Sequence, residues 1–207
     1  MRYPTRVRHL AFLLAIAATA ACTSGPRPAD DSSYVDELAA DRVTKDKFLA
    51  EGLESPIPAG KKASLLPLKY FPADPALAVP ARLKLQNDRP VFEMPTSTGT
   101  IRRMQLVGVL EFTLSGQPMT LGAFVEEGTR QISTLFVPFA DQTTGAESYR
   151  AGRYLDLNPT ATGYYTIDFN RAYNPYCAYN AAYECPYPPP ANRLKLPVRA
   201  GEKAPDA

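Results

Sequence analysis

The chain carries one histidine, His9, and it lies in the extreme N-terminal stretch. Once that stretch is removed no imidazole remains. This excludes Ser-His-Asp and Cys-His catalysis and every histidine-containing metal site. Cysteine is nearly as scarce, with Cys22, Cys177 and Cys185 the three in the chain. A four-cysteine zinc site is therefore out of reach within one chain, and no metal is expected. Neither a Walker loop nor a G-x-G-x-x-G run occurs, so phosphate-cradling folds have no support and no cofactor is expected. Acid–base chemistry would fall to carboxylates, tyrosines, lysines or a thiolate.

The N-terminus has the pattern of an export signal. Arg2, Arg6 and Arg8 form a basic region, and "AFLLAIAATAA" follows as an apolar run too short to anchor a chain across a bilayer. Residues 1–21 are read as this signal. Cys22 stands where the bacterial lipobox places its lipidated cysteine, although Thr19 replaces the usual leucine of "TAAC". Simple secretion, with cleavage behind "ATA" or "TAA", is the alternative. Residues 22–32 are polar and rich in Pro, Ser and Asp, as in a flexible tether. A lipid on Cys22 would make the membrane a partner, and Thr23 rather than aspartate after it leans towards the outer membrane facing the periplasm. Losing residues 1–21 takes Lys+Arg from 23 to 20 against 21 Asp+Glu, so the mature chain is close to neutral and nucleic acid is not an expected partner.

The remainder reads as one β-rich domain over residues 33–203, with a loose tail at 204–207. Ser33 to Glu51 predicts a helix, with Ser32 or Ser33 as cap, a partial apolar face of Tyr34, Leu38, Phe48 and Leu49, and Gly52 as its stop. Period-two runs then take over: "LLPLKYF", "LAVPARLKL", "PVFEM", and "IRRMQLVGVLEFTL" with Met104, Leu106, Gly108, Leu110 and Phe112 on alternate positions. "SGQP" is a hairpin turn and "MTLGAFVEE" the return strand. "ISTLFVPF", "SYRAGRYLDL" and "GYYTIDF" are further strands. "NRLKLPVRAGEK" predicts a last strand with a polar turn at Ala200–Gly201–Glu202. The fold class is mainly β, a small antiparallel barrel or sandwich with one N-terminal helix outside and a long ordered C-terminal loop.

Candidate site residues fall in two stretches. In "FADQTTGAESYRAGRYL", Asp141 suits an Asx-turn and Gly145 a positive φ. Arg153 would pair with Glu147 or Asp156, or else stand at a pocket mouth where its planar fork holds an anionic group. Asp141 and Tyr149 belong to that second reading. In "DFNRAYNPYCAYNAAYECPYPPPANR", Asp168, Asn170, Tyr173 and Asn174 could orient the ligand, or simply pin a long loop. Cys177 and Cys185 enclose seven residues, and in an oxidising compartment a disulfide is the default. It would stabilise the loop by about 2–3 kcal/mol. Buried free thiols and a reactive Cys177 are the other readings.

"FVPFADQTTG", "AGRYLDL", "DFNRAYNPYCAY", "CPYPPPANRL" and "RAGEK", with "SPIP" and "LKYFPAD" nearer the N-terminus, resemble the prokaryotic domain-of-unknown-function family numbered 1684. The similarity runs over roughly residues 36–203. It implies that these segments belong to one domain, and it brings no activity or ligand. Some relatives in that family lack an export signal yet keep similar cysteines, which implies that a disulfide is not the whole reason for Cys177 and Cys185.

The leading functional expectation is an envelope binding module for a small polar or anionic ligand. A structural or protein-interaction domain comes second. A hydrolase or lyase using carboxylate–tyrosine chemistry comes third, with Asp168, Glu147 and Cys177 as its catalytic candidates.

Overall fold

The structure is a computed structural model that describes residues 31–205. The expected signal, Cys22 and most of the expected tether lie outside the described residues. The first element is α1 (Asp31–Glu51), two residues longer at its start than expected, with Gly52 donating its amide to Phe48 as the helix stops. A short helix, α2 (Lys62–Leu65), follows. The strands are β1 (Ala78–Leu85), β2 (Val91–Pro95), β3 (Ile101–Leu114), β4 (Gln117–Glu126), β5 (Leu135–Phe139), β6 (Arg153–Leu157) and β7 (Tyr164–Asp168).

All pairings between these strands are antiparallel, in the order β6-β5-β4-β3-β1-β7, with β2 also on β3. The sheet curls into a half-barrel. Its centre is the β3–β4 hairpin. Ser115 (φ 50°) and Gly116 (φ 75°) both take positive φ in its two-residue loop, and such turns match the right-handed twist of the flanking strands.

The even-numbered positions of β3 do not share one face. The register shifts between Leu106 and Gly108. Before the shift, Met104 and Leu106 pack with Met94 and Phe124. Beyond it, Leu110, Phe112 and Leu114 join Leu121, Val137, Phe139 and Ile167 in the main core. One inserted residue thus lets a single strand supply apolar groups to both sides of the sheet.

Two expected strands are absent. "LLPLKYF" gives the last residue of α2 and then an extended segment touching the fold's backbone through the Tyr70–Glu202 bridge. The C-terminal stretch does alternate inward, since Leu194, Leu196, Val198 and Ala200 all enter the main core. Yet it makes only isolated bridges among the described residues, from Arg193 to Ala140 and from Glu202 to Tyr70. The carbonyls of Val198, Ala200 and Glu202 are satisfied by a side chain instead of a strand, as the next section shows. Asn192 does similar work where β4 and β5 splay apart. It accepts from the Gly122 amide (2.7 Å) and donates to the carbonyls of Gly122 (2.9 Å) and Pro138 (2.7 Å). Gly201 sits at φ 71°, and a Cβ there would collide with the Ala172 and Phe169 carbonyl oxygens, so only glycine fits.

Helix α1 packs outside the sheet and buries just Leu38 and Leu49. Polar clamps complete its attachment: Tyr34 to Asp168 (2.8 Å), Arg171 to Glu37 (2.7 Å), Lys45 to Glu202 (2.5 Å), and the Leu68 amide to Asp46 (3.0 Å).

Candidate functional site

The two stretches singled out in the sequence do converge, but on a solid interior rather than a pocket. Arg153 is 1% exposed. Its Nη2 lies 2.6 Å from Asp141 Oδ2, and both side chains are fully enclosed. The same guanidinium donates to the carbonyls of Val198 (2.8 Å), Ala200 and Glu202 (3.4 Å). The rings of Phe139 and Phe71 flank it at 5.2 and 5.7 Å. Burial pulls the Arg153 pKa down, and the Asp141 charge opposes that pull. The expectation of Arg153 at a pocket mouth is therefore corrected, because its fork is spent on one carboxylate and three backbone carbonyls. So is the expectation of a Glu147 or Asp156 partner. Glu147 pairs with exposed Arg199 at 2.8 Å, and that hydrogen bond holds its carboxyl below the usual range. Asp156 accepts from the Tyr173 hydroxyl at 2.7 Å. The turn chemistry is as expected: the Thr143 amide bonds Asp141 Oδ1, and Gly145 sits at φ 84°.

The loop residues are likewise occupied. Asp168 accepts from Tyr34, from the Asn170 amide (3.0 Å) and from Arg171 Nε (3.2 Å). Asn170 exchanges a pair of hydrogen bonds with the Asp74 backbone at 2.8 and 2.9 Å, as a neighbouring strand would. Asn174 donates its amide to Glu202 and its Nδ2 to Lys203 O, both at 2.7 Å. Asp168 and Glu147 are each engaged by separate partners, Asp168 by Tyr34, Asn170 and Arg171 and Glu147 by Arg199, and they make no contact with each other. No group of three or more potential metal ligands gathers among the described residues either.

The sequence reading missed Glu202, taken as part of a polar turn. It is 1% exposed. Its carboxylate accepts from Lys45 Nζ (2.5 Å), the Asn174 amide (2.7 Å) and the Tyr179 hydroxyl (2.8 Å). One signal could have found it: the inward alternation of positions 194, 196, 198 and 200 extends to 202.

An aromatic concavity lies on the other side of the sheet. A cleft of about 700 Å³ is bounded by Phe48 and Lys45 of α1, Met104 and Arg102 of β3, Phe124 of β4, Phe136 of β5, Tyr154 and Asp156 of β6, and the loop carrying Tyr173, Tyr176, Tyr183 and Cys185. Edge-to-face contacts order its rings: Phe136–Tyr154 at 4.6 Å, Tyr154–Tyr173 at 5.9 Å and Tyr176–Tyr183 at 5.3 Å. Both cations at its rim are already paired. Arg102 lies 3.2 Å from Glu184 and 3.7 Å from Glu126, while Lys45 sits between Glu202 and the Tyr173 ring, 5.0 Å from the ring centre. Of the sequence-predicted ligand residues, Tyr173 alone lines this cleft. Tyr149 points away to the Cys177 carbonyl (3.3 Å), and burial pushes its hydroxyl up to about 12.

Cys177 and Cys185 are both buried and not bonded to each other, so the expected disulfide is not formed in this structure. They are nonetheless neighbours, since the Cys177 amide donates to Cys185 Sγ at 3.1 Å.

The fold has a solved counterpart. The solution NMR structure of an uncharacterized protein from gene locus rrnAC0354 of Haloarcula marismortui is 38% identical, covers 84% of this chain and 96% of its own, and superposes with a TM-score of 0.66. Among curated proteins nothing matches. Residues 64–203 match the family described as "Protein of unknown function (DUF1684)". By that match, which spans more than half of its length, the chain belongs to the DUF1684 family.

Proposed function

We propose that the protein is a binding module of the cell envelope whose ligand is a small molecule with an apolar or ring-bearing body, received in the aromatic cleft. The observation that carries this reading is the cleft itself. Ligand sites are concave, largely apolar, commonly 300–1,000 Å³, and carry a few orienting polar groups. About 700 Å³ walled by phenylalanine and tyrosine, with Asp156 and tyrosine hydroxyls at its edge, meets that description. An anionic ligand is no longer favoured, because Arg153 is committed internally and Arg102 and Lys45 already have carboxylate partners.

The neutral apolar dye N-phenyl-1-naphthylamine tests this reading by fluorescence titration. Saturable enhancement is expected. Phe48 lines the cleft yet is largely exposed, so Phe48→Asp should weaken dye binding about tenfold, from partial loss of one aromatic contact, with little change in melting temperature. No saturable signal, or equal affinity in the variant, overturns the proposal.

The envelope location is supported by the basic and apolar N-terminal pattern ending at Cys22. Expressed in a bacterium with lipoprotein processing, the full chain should incorporate labelled palmitate and partition with membranes, and Cys22→Ser should do neither. Equal labelling of both proteins removes the anchor from the proposal. A second reading, a protein-facing surface, draws on exposed Tyr176, Tyr183 and Tyr187 along the proline-rich loop.

A further inference from the structure

The buried cysteines are titratable, nucleophilic groups that neither the core nor the ligand reading uses. The chain brings them together deliberately. Asn174–Pro175 turns the backbone, and a 3₁₀ turn over Tyr176–Ala178 drives Cys177 inward. The loop then returns along the 95–97 segment. There the Ser97 amide donates to the Cys185 carbonyl (3.0 Å), and the Cys185 amide donates to Ser97 Oγ (3.0 Å). The result places the Cys177 amide on Cys185 Sγ at 3.1 Å and the Tyr149 hydroxyl 3.9 Å from Cys177 Sγ. One of the two sulfur-bearing residues, Cys185, lines the aromatic cleft beside Tyr154 and Pro186.

We propose that Cys177 and Cys185 form a thiol–disulfide exchange site opening on the cleft, with Cys185 meeting the incoming disulfide and Cys177 as its resolving partner. The site takes a small disulfide of the glutathione class. It uses the cleft only as a path, so it stands whether or not an apolar ligand binds there.

The two sulfurs share one charge, and access from the cleft rather than basicity assigns Cys185 as the entry sulfur. The Cys185 thiol hydrogen-bonds the Cys177 sulfur, and chiefly for that reason the Cys177 thiol is pushed down to about 6. Cys185 is pushed up, since losing its proton would place a second negative charge against the first. The pair therefore holds one proton between two sulfurs at neutral pH, without help from histidine or a cation.

The steps balance. Cys185 passes its proton along the shared hydrogen bond to Cys177, and its thiolate attacks one sulfur of R–S–S–R. A Cys185–S–S–R bond forms and RS⁻ leaves. Cys177 gives up its proton to that RS⁻, then attacks the Cys185 sulfur, which forms Cys177–Cys185 and releases a second RS⁻. Two electrons pass from the pair to the small disulfide, which is the oxidant.

The test uses the full chain carrying Cys22→Ala, reduced, then incubated at pH 7 with oxidised glutathione, acid-quenched, denatured and alkylated. Intact mass should show the loss of two hydrogens and no alkylatable thiol. Cys177→Ser should stop at one glutathionyl group on Cys185. Cys185→Ser should react about tenfold more slowly than Cys177→Ser, because its remaining sulfur does not face the cleft. If both thiols of the unsubstituted pair stay alkylatable in excess oxidant, the proposal fails, whatever the folding of the serine variants. Equal rates in the two serine variants overturn the assignment of Cys185 as the entry sulfur.

Discussion

Arg153→Met is expected to lower unfolding free energy by about 3–5 kcal/mol, read as the drop in the urea midpoint at constant slope. The loss comes less from a missing attraction than from what is stranded. Asp141 would remain fully enclosed without its counter-charge, and the carbonyls of Val198 and Ala200 would lose their donor. Methionine keeps the length and apolar bulk of the side chain, so little of the effect is cavity. Arg153→Lys should rescue poorly, because one ammonium cannot reproduce a planar fork that serves a carboxylate and successive carbonyls together. Arg153→Met combined with Asp141→Asn should cost less than the two singles summed, since the double variant buries no unpaired charge. A loss under about 1 kcal/mol for Arg153→Met would show that the guanidinium is dispensable to the fold.

Glu202→Leu should cost a similar amount, about 3–5 kcal/mol, by a different route. The charged partner, Lys45, is 30% exposed and can turn to water. The Asn174 amide and the Tyr179 hydroxyl cannot, and each buried donor left without an acceptor costs about 1–3 kcal/mol. Glu202→Gln keeps one acceptor oxygen and should lose roughly half as much. Tyr179→Phe in the Glu202→Leu background should then recover stability, because it removes one of the stranded donors. Additive losses in that double variant would refute the account.

Much of the scaffold was legible because its signals are local. The glycine-stopped helix, the Ser115–Gly116 turn and the alternation in β1 and β2 each report on residues a few positions apart, whereas Ser32 and Ser33, expected as caps, lie inside the helix. The face assignment in β3 failed for a reason equally local in effect but invisible in pattern. An inserted residue leaves the apolar spacing unchanged while reversing which side it points to. The C-terminal segment misled differently. Its alternation reports an extended backbone with one side in the core, and that is correct. Alternation says nothing about whether a strand or a side chain supplies the hydrogen bonds, and here Arg153 does.

The site was the least legible part. Asp141, Arg153, Asn170 and Asn174 carry the chemistry of ligand recognition, and they apply it to this chain's own backbone. Whether such a residue faces outward or inward depends on closure by residues 198–203, far along the chain. The cleft draws its rings from elements dispersed between Phe48 and Tyr183, with no common period to announce them.

Those last residues carry a consequence for biogenesis. Val198, Ala200 and Glu202 are acceptors for the buried guanidinium, and Glu202 also fastens α1, more than 150 residues earlier in the chain. While the ribosome still shields them, Arg153 has one partner and the helix lacks a clamp. The interior therefore cannot seal until residues 198–202 have joined the far earlier β6 and α1.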